Sequence, residues 1–170
     1  MTAVVPDIPQ QTVFNALADF IAAIVDCQVI RGQANRVSMP VGDVIYVTPI
    51  RKAALAVSVD SYTTTNRNVQ RSTQFDFQVD CYGAGAADRA QAITALLRDG
   101  YAFDQMAAGV KPLYASDAQQ MPLVTGEEQY LERWTFEASL QANPTVSVAQ
   151  DSMSGATVQM VAVDAAYPPA

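Results

Sequence analysis

The sequence predicts an α+β domain: a mostly antiparallel mixed β-sheet with two main amphipathic helices packed on one face, a long hairpin and an extended C-terminal segment. Apolar residues recur every three or four positions in two segments and alternate with polar residues in three others, and turn-forming residues separate these segments. The chain has 170 residues, of which 50% are apolar and 16% charged, a composition typical of one folded domain.

The two helices are predicted at residues 10–26 and 86–99. The first has a wide apolar face, formed by Val13, Phe14, Leu17, Phe20, Ile21, Ile24 and Val25. In the second, Asp88 suits the positive N-terminal end of a helix, and Gly100 is placed as a left-handed C-cap. We expect a short helical continuation to residue 108, which Gly109 ends.

The first strands are predicted to form a long hairpin. Residues 44–47 have strand composition, and Pro49 closes this strand or marks a sheet edge. Residues 53–63 are expected to pair with residues 70–82, with a polar tip at 63–68.

Two alternating patterns orient the strands of this hairpin. The apolar side chains are Leu55, Val57 and Val59 in the first strand and Phe75, Phe77, Val79 and Cys81 in the second. Each set is expected to face the core, with the first strand half-buried. On the opposite face of the second strand, Asp76 and Asp80 lie about 13 Å apart at ~3.3 Å per residue, which is too far to share one ion. We therefore expect these carboxylates on a solvated sheet face.

The remaining sequence adds shorter strands around a third long one. A strand is expected near residues 113–115, a long strand at 127–141 that Glu132 interrupts, and short strands at 146–148 and 158–163. The chain is thereby divided into a flexible N-terminal lead (1–9), an α+β core domain (10–142) and an extended C-terminal segment (143–170). The C-terminal segment is expected to serve as an interface arm, since an oligomer can pair open strand edges.

The sequence lacks the residue combinations that common catalytic and zinc sites use. It has no histidine, the commonest general base and metal ligand, and its two cysteines, Cys27 and Cys81, are too far apart for a zinc-binding spacing. Both thiols are expected to be inert packing residues. We therefore predict no catalytic residue, no metal site and no cofactor.

A glycine-rich turn leaves one enzymatic alternative open. Gly83-Ala84-Gly85 follows a predicted strand and precedes a predicted helix, where free backbone N–H groups can bind phosphate. Asp88 stands where the dinucleotide-binding pattern has its third glycine, so a tight strand-to-helix turn is favoured. The alternative is a small enzyme with a phosphate site at residues 83–88.

Charge is unevenly distributed along an acidic chain. The net charge is −7 and the isoelectric point is near 4.3, which argues against a dedicated DNA-binding domain. Residues 1–26 carry −3, residues 27–75 carry +4 and residues 76–170 carry −8. No apolar run approaches the ~20 residues of a membrane helix, so no membrane partner is expected.

An ordered set of short phrases resembles a known protein family. The phrases are RGQANRV (31–37), TPIR (48–51), QVDCYG (78–83), DRA (88–90), LYASD (113–117), QMPL (120–123), QY (129–130), ERW (132–134) and LQANP (140–144). In this order, across residues 10–165, the chain resembles the neck or tail-terminator proteins of tailed bacteriophages and prophages.

The resemblance implies a structural virion protein and no enzyme. It implies a ring, a homohexamer, that caps the tail tube, stops its polymerisation and joins the tail to the head. The implied partners are the tail-tube protein, a head-completion or connector protein and, if the tail is contractile, the sheath protein. Genomic DNA would pass through the ring without specific binding, because an acidic lumen repels phosphates. The implied location is the virion neck. Assembly is expected in the bacterial cytoplasm, since no secretory signal is apparent at Met1.

Two sets of residues are predicted to lie at interfaces. The first set, in the basic segment, is Arg31, Arg36, Arg51 and Arg67. We expect it to meet an acidic surface of the next subunit, because head-to-tail packing joins two different surfaces. The second set, Asn143, Pro144 and Val146, is expected to contact a neighbouring subunit or the tube. The nearest alternative is another neck ring, a head–tail connector that contacts the portal or DNA.

Overall fold

The computed structural model describes residues 4–32, 42–107, 109–121, 123–124, 130–151, 155 and 157–159. The helices are α1 (Gln10–Ile24), α2 (Ala86–Leu97) and α3 (Gly100–Gln105). The strands are β1 (Gln28–Arg31), β2 (Val44–Ala54), β3 (Val59–Tyr62), β4 (Asn66–Gln70), β5 (Thr73–Tyr82), β6 (Val110–Ala115), β7 (Gln119–Gln120), β8 (Leu123–Val124), β9 (Tyr130–Leu131), β10 (Arg133–Ala142) and β11 (Thr145–Ala149). The predicted α+β class is confirmed.

The main sheet has the strand order β1-β2-β5-β10-β6, and the short β7 also pairs with β10. β1 runs parallel to β2, and the other neighbours are antiparallel. The central strand β5 has an unbroken alternation, and its side chains Phe75, Phe77 and Val79 are buried as predicted. The long strand expected at 127–141 is also interrupted at Glu132, which separates β9 from β10.

Helices cover one face of this sheet. α1 packs against β1 and β2, and α2 packs against β5, β6 and β10. The core joins Leu17 and Ile21 of α1 to Ile93 of α2 and Phe77 of β5, all of them fully buried. Among the described residues, the buried cluster includes none between 48 and 74 and none after Ala142.

A second, smaller sheet is exposed to solvent. Its order is β11-β4-β3, and both pairings are antiparallel. None of the fourteen residues in these three strands is buried. We call residues 55–72 together with β11 the arm. It is formed where the chain continues beyond β2 into β3 and returns through β4 to β5.

The predicted hairpin is present with a different pairing. β5 pairs with β2, so that Arg51 lies opposite Asp76, whereas β3 pairs with β4. The expected pairing of 53–63 with 70–82 is therefore wrong over most of its length. The sequence pattern does not reveal whether β2 or β3 pairs with β5, because both segments have strand composition.

One local prediction in this hairpin is also wrong, and another is correct in one of its two alternatives. Leu55, Val57 and Val59 are 45%, 90% and 66% exposed, so they do not form a half-buried face. Pro49 does not end β2, which continues to Ala54 with a register shift just after the proline, but it does mark a sheet edge. Proline is tolerated there because β1 ends opposite Val47, which leaves β5 as the only neighbour of this part of β2 among the described strands.

The glycine placed after α2 has another role. Gly100 is the first residue of α3, and its φ is not left-handed. The Asp99 side chain caps α3 by accepting a hydrogen bond from Tyr101 N–H at 2.9 Å. The predicted continuation is confirmed by α3, but it ends at Gln105 and not at Gly109. Gly109 has a left-handed φ of +86°, and residue 108 lies outside the described residues. Of the strand expected at 158–163, Val158 is not in a strand, and residues 160–163 lie outside the described residues.

Candidate assembly surfaces

The sheet face opposite the helices contains a buried carboxylate. Asp76 is 1% exposed and accepts hydrogen bonds from Gln74 Nε2 at 2.6 Å, Ser139 Oγ at 2.7 Å and Arg51 Nε at 2.8 Å. Burial raises the pKa of Asp76, but the hydrogen bonds and the Arg51 charge lower it by more, so its pKa lies below the ordinary value. The prediction of a solvated face is wrong here because partners on β2 and β10, far away in sequence, cover the carboxylate.

Asp80 repeats this arrangement further along β5. It is 5% exposed and accepts hydrogen bonds from Arg133 Nη2 at 2.9 Å and from Gln78 Nε2 at 3.0 Å. The Arg133 guanidinium also lies 5.6 Å from the Tyr82 ring centroid. Each carboxylate is thus paired with an arginine of its own subunit, and each connects neighbouring strands.

A carboxylate of the same chain, that of Asp43, lies against the glycine-rich turn. Gly83 and Gly85 have φ of +92° and +76°, which confirms the tight strand-to-helix turn. The Asp43 carboxylate accepts a hydrogen bond from Arg89 Nη1 at 3.1 Å, and a Cβ on Gly83 would lie 2.1 Å from Asp43 Oδ1. The Arg89 cation is therefore already paired with an anion at this turn, which disfavours a phosphate site.

The two thiols lie in surroundings that suppress their reactivity. Burial raises the pKa of Cys81 to about 12 and, to a smaller extent, raises that of Cys27. Within the described ranges, no three acidic, cysteine or histidine side chains are grouped so that they could hold a metal ion. None of the described helices is long and apolar enough to cross a membrane.

The predicted interface arginines are found in different places. Arg31 donates to the Gln11 side chain on α1 and lies over the Phe14 ring at 5.6 Å. Arg51 binds Asp76 across the main sheet, and its side chain is 63% exposed. Arg36 lies outside the described residues.

Arg67 belongs to the arm. Its Nη2 lies 2.5 Å from Asp60 Oδ2 on β3, and its side chain is 47% exposed. Each of the three described arginines of the predicted set therefore has a partner within its own subunit. They do not share one sheet: Arg31 and Arg51 lie on the neighbouring strands β1 and β2 of the main sheet, and Arg67 lies on β4 of the arm.

The C-terminal residues that were predicted to lie at an interface contact other parts of their own subunit. Pro144 C=O accepts a hydrogen bond from Arg71 N–H at 3.1 Å, and Val146 pairs with Val69 of β4. Asn143 Oδ1 accepts a weak hydrogen bond from Gln141 Nε2 at 3.3 Å. The beginning of the C-terminal segment is therefore part of the arm.

The N-terminal lead contacts this same strand. Asp7 N–H donates to Thr145 C=O at 3.0 Å, and Thr145 N–H donates to Asp7 Oδ1 at 2.6 Å. Sequence patterns contain no signal for such a pairing, because it joins the two ends of the described chain.

Sequence reasoning also missed an aromatic patch beside the β6 edge. Phe103 of α3 and Tyr114 of β6 are 54% and 59% exposed. Lys111 Nζ lies 4.1 Å from the Phe103 ring centroid, and the Arg98 guanidinium lies 5.7 Å from that of Tyr114. The cations partly shield the rings. Short apolar stretches do not show which of their side chains will be exposed, so only the tertiary arrangement reveals this patch.

Comparison with known families gives a match to the family described as phage neck terminator protein, over residues 11–164. Comparison with curated proteins gives no match. The matched region includes all the described helices and strands, except for the first residue of α1. The resemblance stated from the sequence phrases is thereby confirmed. The chain belongs to the phage neck terminator protein family.

Proposed function

We propose that copies of this chain form a ring, a hexamer, that caps the finished tail tube, stops its polymerisation and joins the tail to head-completion proteins. The observation that carries the proposal is the family match over residues 11–164. This family is one of structural phage proteins and indicates a component of the virion neck. The ring, its size and its contacts are the proposed part.

The ring contacts are proposed to join unlike surfaces of successive subunits. Head-to-tail packing closes into a ring when each subunit presents two different complementary surfaces. The exposed parts of Arg51 and Arg67, together with Arg31 and Arg36, are proposed for one side of this contact. The region beginning at Asn143, Pro144 and Val146 is proposed to reach a neighbouring subunit or the tube.

The two open ends of such a ring serve different partners. One end is proposed to bind the tail-tube protein and the other a head-completion or connector protein, with the sheath protein as a further partner in a contractile tail. The net charge of −7 suits a channel through which DNA moves without binding, since like charges repel. Assembly is proposed to take place in the host cytoplasm.

Negative-stain imaging of the purified chain, alone and mixed with tail-tube protein of the same phage, tests the proposal. We expect six-fold rings or six-fold caps at tube ends. Twelve-fold rings that bind no tubes would favour the connector function instead. A chain that stays monomeric in both samples would contradict the proposal.

A further inference from the structure

The arm has apolar side chains that the described part of the subunit leaves uncovered. Val57, Val59 and Tyr62 are 90%, 66% and 61% exposed, and Val148 on β11 is 44% exposed. No residue from 51 to 72 is buried. Side chains alternate between the two faces of a strand, so Tyr62 and Val148, which flank Arg67, lie on one face of the arm and Val59 lies on the other. Small sheets are stable in water when a face packs against other apolar groups, and exposed apolar surface marks contact sites. We therefore expect another surface to cover these side chains.

The β3 edge of the arm has backbone groups available for pairing. Thr63 N–H donates to Asn66 C=O at 2.8 Å, and hydrogen-bonded pairs alternate along antiparallel strands. The N–H and C=O groups of Asp60 and Tyr62 therefore point away from β4. β3 is short and contains Asp60, whose charge Arg67 binds, but it has no lysine, proline or bulge to protect its edge. The edge strand β6 contains both a lysine and a proline.

The other edge of the arm is already partly occupied. The two hydrogen bonds between Asp7 and Thr145 place the N-terminal lead along the beginning of β11. Among the described residues, no backbone of the same subunit lies along the outer edge of β3. β3 is therefore the edge of the arm at which another molecule can be added.

Charge favours a second copy of this chain as that molecule. The arm itself carries a net charge of +1. Together with Arg51 and Lys52 at the adjoining end of β2 the region carries +3, whereas the rest of the chain carries −10. Exposed carboxylates on the helical side, Asp88, Asp99 and Asp104, are available to a basic neighbour. Complementary charge of this kind steers and orients association. Nucleic acid fits less well, because Val57, Val59 and Tyr62 are exposed beside the basic charges of this region and Arg67 is already bound to Asp60.

We propose that the arm is a subunit interface, in which a second copy covers Val57, Val59 and Tyr62 and hydrogen-bonds to the open edge of β3. This inference rests on the proposed ring, and it names the surface through which one subunit meets the next. The arm and the surface it binds are different parts of the chain, as closure of a ring by head-to-tail contacts requires.

A pair of tyrosine variants tests the interface. Tyr62→Asp places a charge on the arm, and Tyr114→Asp does the same at a tyrosine of similar exposure, 59%, on the β6 edge. Sedimentation velocity of each full-length chain over a concentration series, alone and with tail-tube protein, measures assembly. We expect Tyr62→Asp to raise the dissociation constant by more than about tenfold, and Tyr114→Asp to match the wild type.

The outcomes separate the arm from the ring. If the wild type and both variants assemble equally, the arm inference is overturned and the ring stands. If the wild type is monomeric under both conditions, both are overturned. Val57→Asp repeats the test at a side chain outside any strand, with Met121→Asp, also outside any strand and 50% exposed, as its control. Hydrogen exchange distinguishes nucleic acid: protection of the Asp60 and Tyr62 amides by duplex DNA, and not by rising protein concentration, would overturn the second-copy assignment.

Discussion

The Asp76 carboxylate connects three strands of the main sheet through partners on β2, β5 and β10. Asp76→Ala leaves the buried Ser139 Oγ without its acceptor and removes the nearer of two acceptors of the Gln74 amide, so we expect the free energy of unfolding to fall by about 1–3 kcal/mol. Asp117→Ala is the control, because that carboxylate is 86% exposed and should change stability little. Urea unfolding of both variants is the measurement, and equal midpoints would show that Asp76 has no special role.

Asp76 also makes stability depend on pH. Its folded-state pKa lies below its ordinary value of 3.8, so the unfolded chain takes up a proton at a pH where the folded chain does not. The stabilisation is therefore present above the ordinary pKa and is lost as the pH falls through the folded-state pKa. We expect Asp76→Asn to flatten the acid limb of a plot of unfolding free energy against pH. Parallel acid limbs for variant and wild type would contradict this account.

The thiol of Cys81 should be unreactive in the folded protein. Burial raises the pKa of Cys81 to about 12, so its thiol stays protonated and inaccessible in the folded protein at neutral pH. A thiol reagent should label the folded Cys27→Ser variant, which retains only Cys81, no faster than it unfolds. Rapid labelling of that variant in native buffer would show that Cys81 is accessible.

At the scale of elements, the β5–α2 turn depends on a glycine. Gly83 combines a φ of +92° with a position where a Cβ would lie 2.1 Å from Asp43 Oδ1. We expect Gly83→Ala to lower the free energy of unfolding by more than about 1 kcal/mol. Gly100→Ala is the matched control, since a Cβ there meets nothing within 4 Å and α3 begins at that residue. Thermal unfolding midpoints that are equal in the two variants would be inconsistent with this role of Gly83.

Sequence patterns predicted the elements that depend on local periodicity. The apolar stripe of α1 and the alternation of β5 repeat every few residues, and the interruption at Glu132 is a local break in such a pattern. Each can therefore be found without knowing which element packs against it. Pairing and burial depend on residues far away in the chain. Asp76 alternates like a solvent-facing residue and is buried by Arg51 and Ser139, whereas Val57 has an apolar side chain and is 90% exposed.

The same limit applies to the candidate interface. The basic segment could be identified by counting charges, but the count does not show that Arg51 and Arg67 are bound to carboxylates of their own subunit. The tight turn at Gly83 was predicted correctly from its place between a strand and a helix. The role of Gly100 was predicted wrongly, and the neighbouring Asp99 caps the next helix instead.

At the scale of the whole molecule, the core and the arm should separate in a deletion experiment. Among the described residues, the buried cluster ends at Ala142, so deletion of 145–170 should leave a domain that unfolds cooperatively while assembly is impaired. Deletion of 151–170 retains β11 and is the control for loss of the tail alone. Circular dichroism on heating measures the core, and sedimentation measures assembly. Normal assembly without residues 145–170 would contradict a role for this segment.

Tail-tube length tests the proposed terminator function most directly. Tail-tube protein of the same phage is polymerised with increasing amounts of the full-length chain, and tube lengths and ends are measured in negative-stain images. The account predicts that mean tube length falls as the chain is added and that tube ends carry a six-fold cap. Tubes of unchanged length with bare ends at every ratio would contradict it.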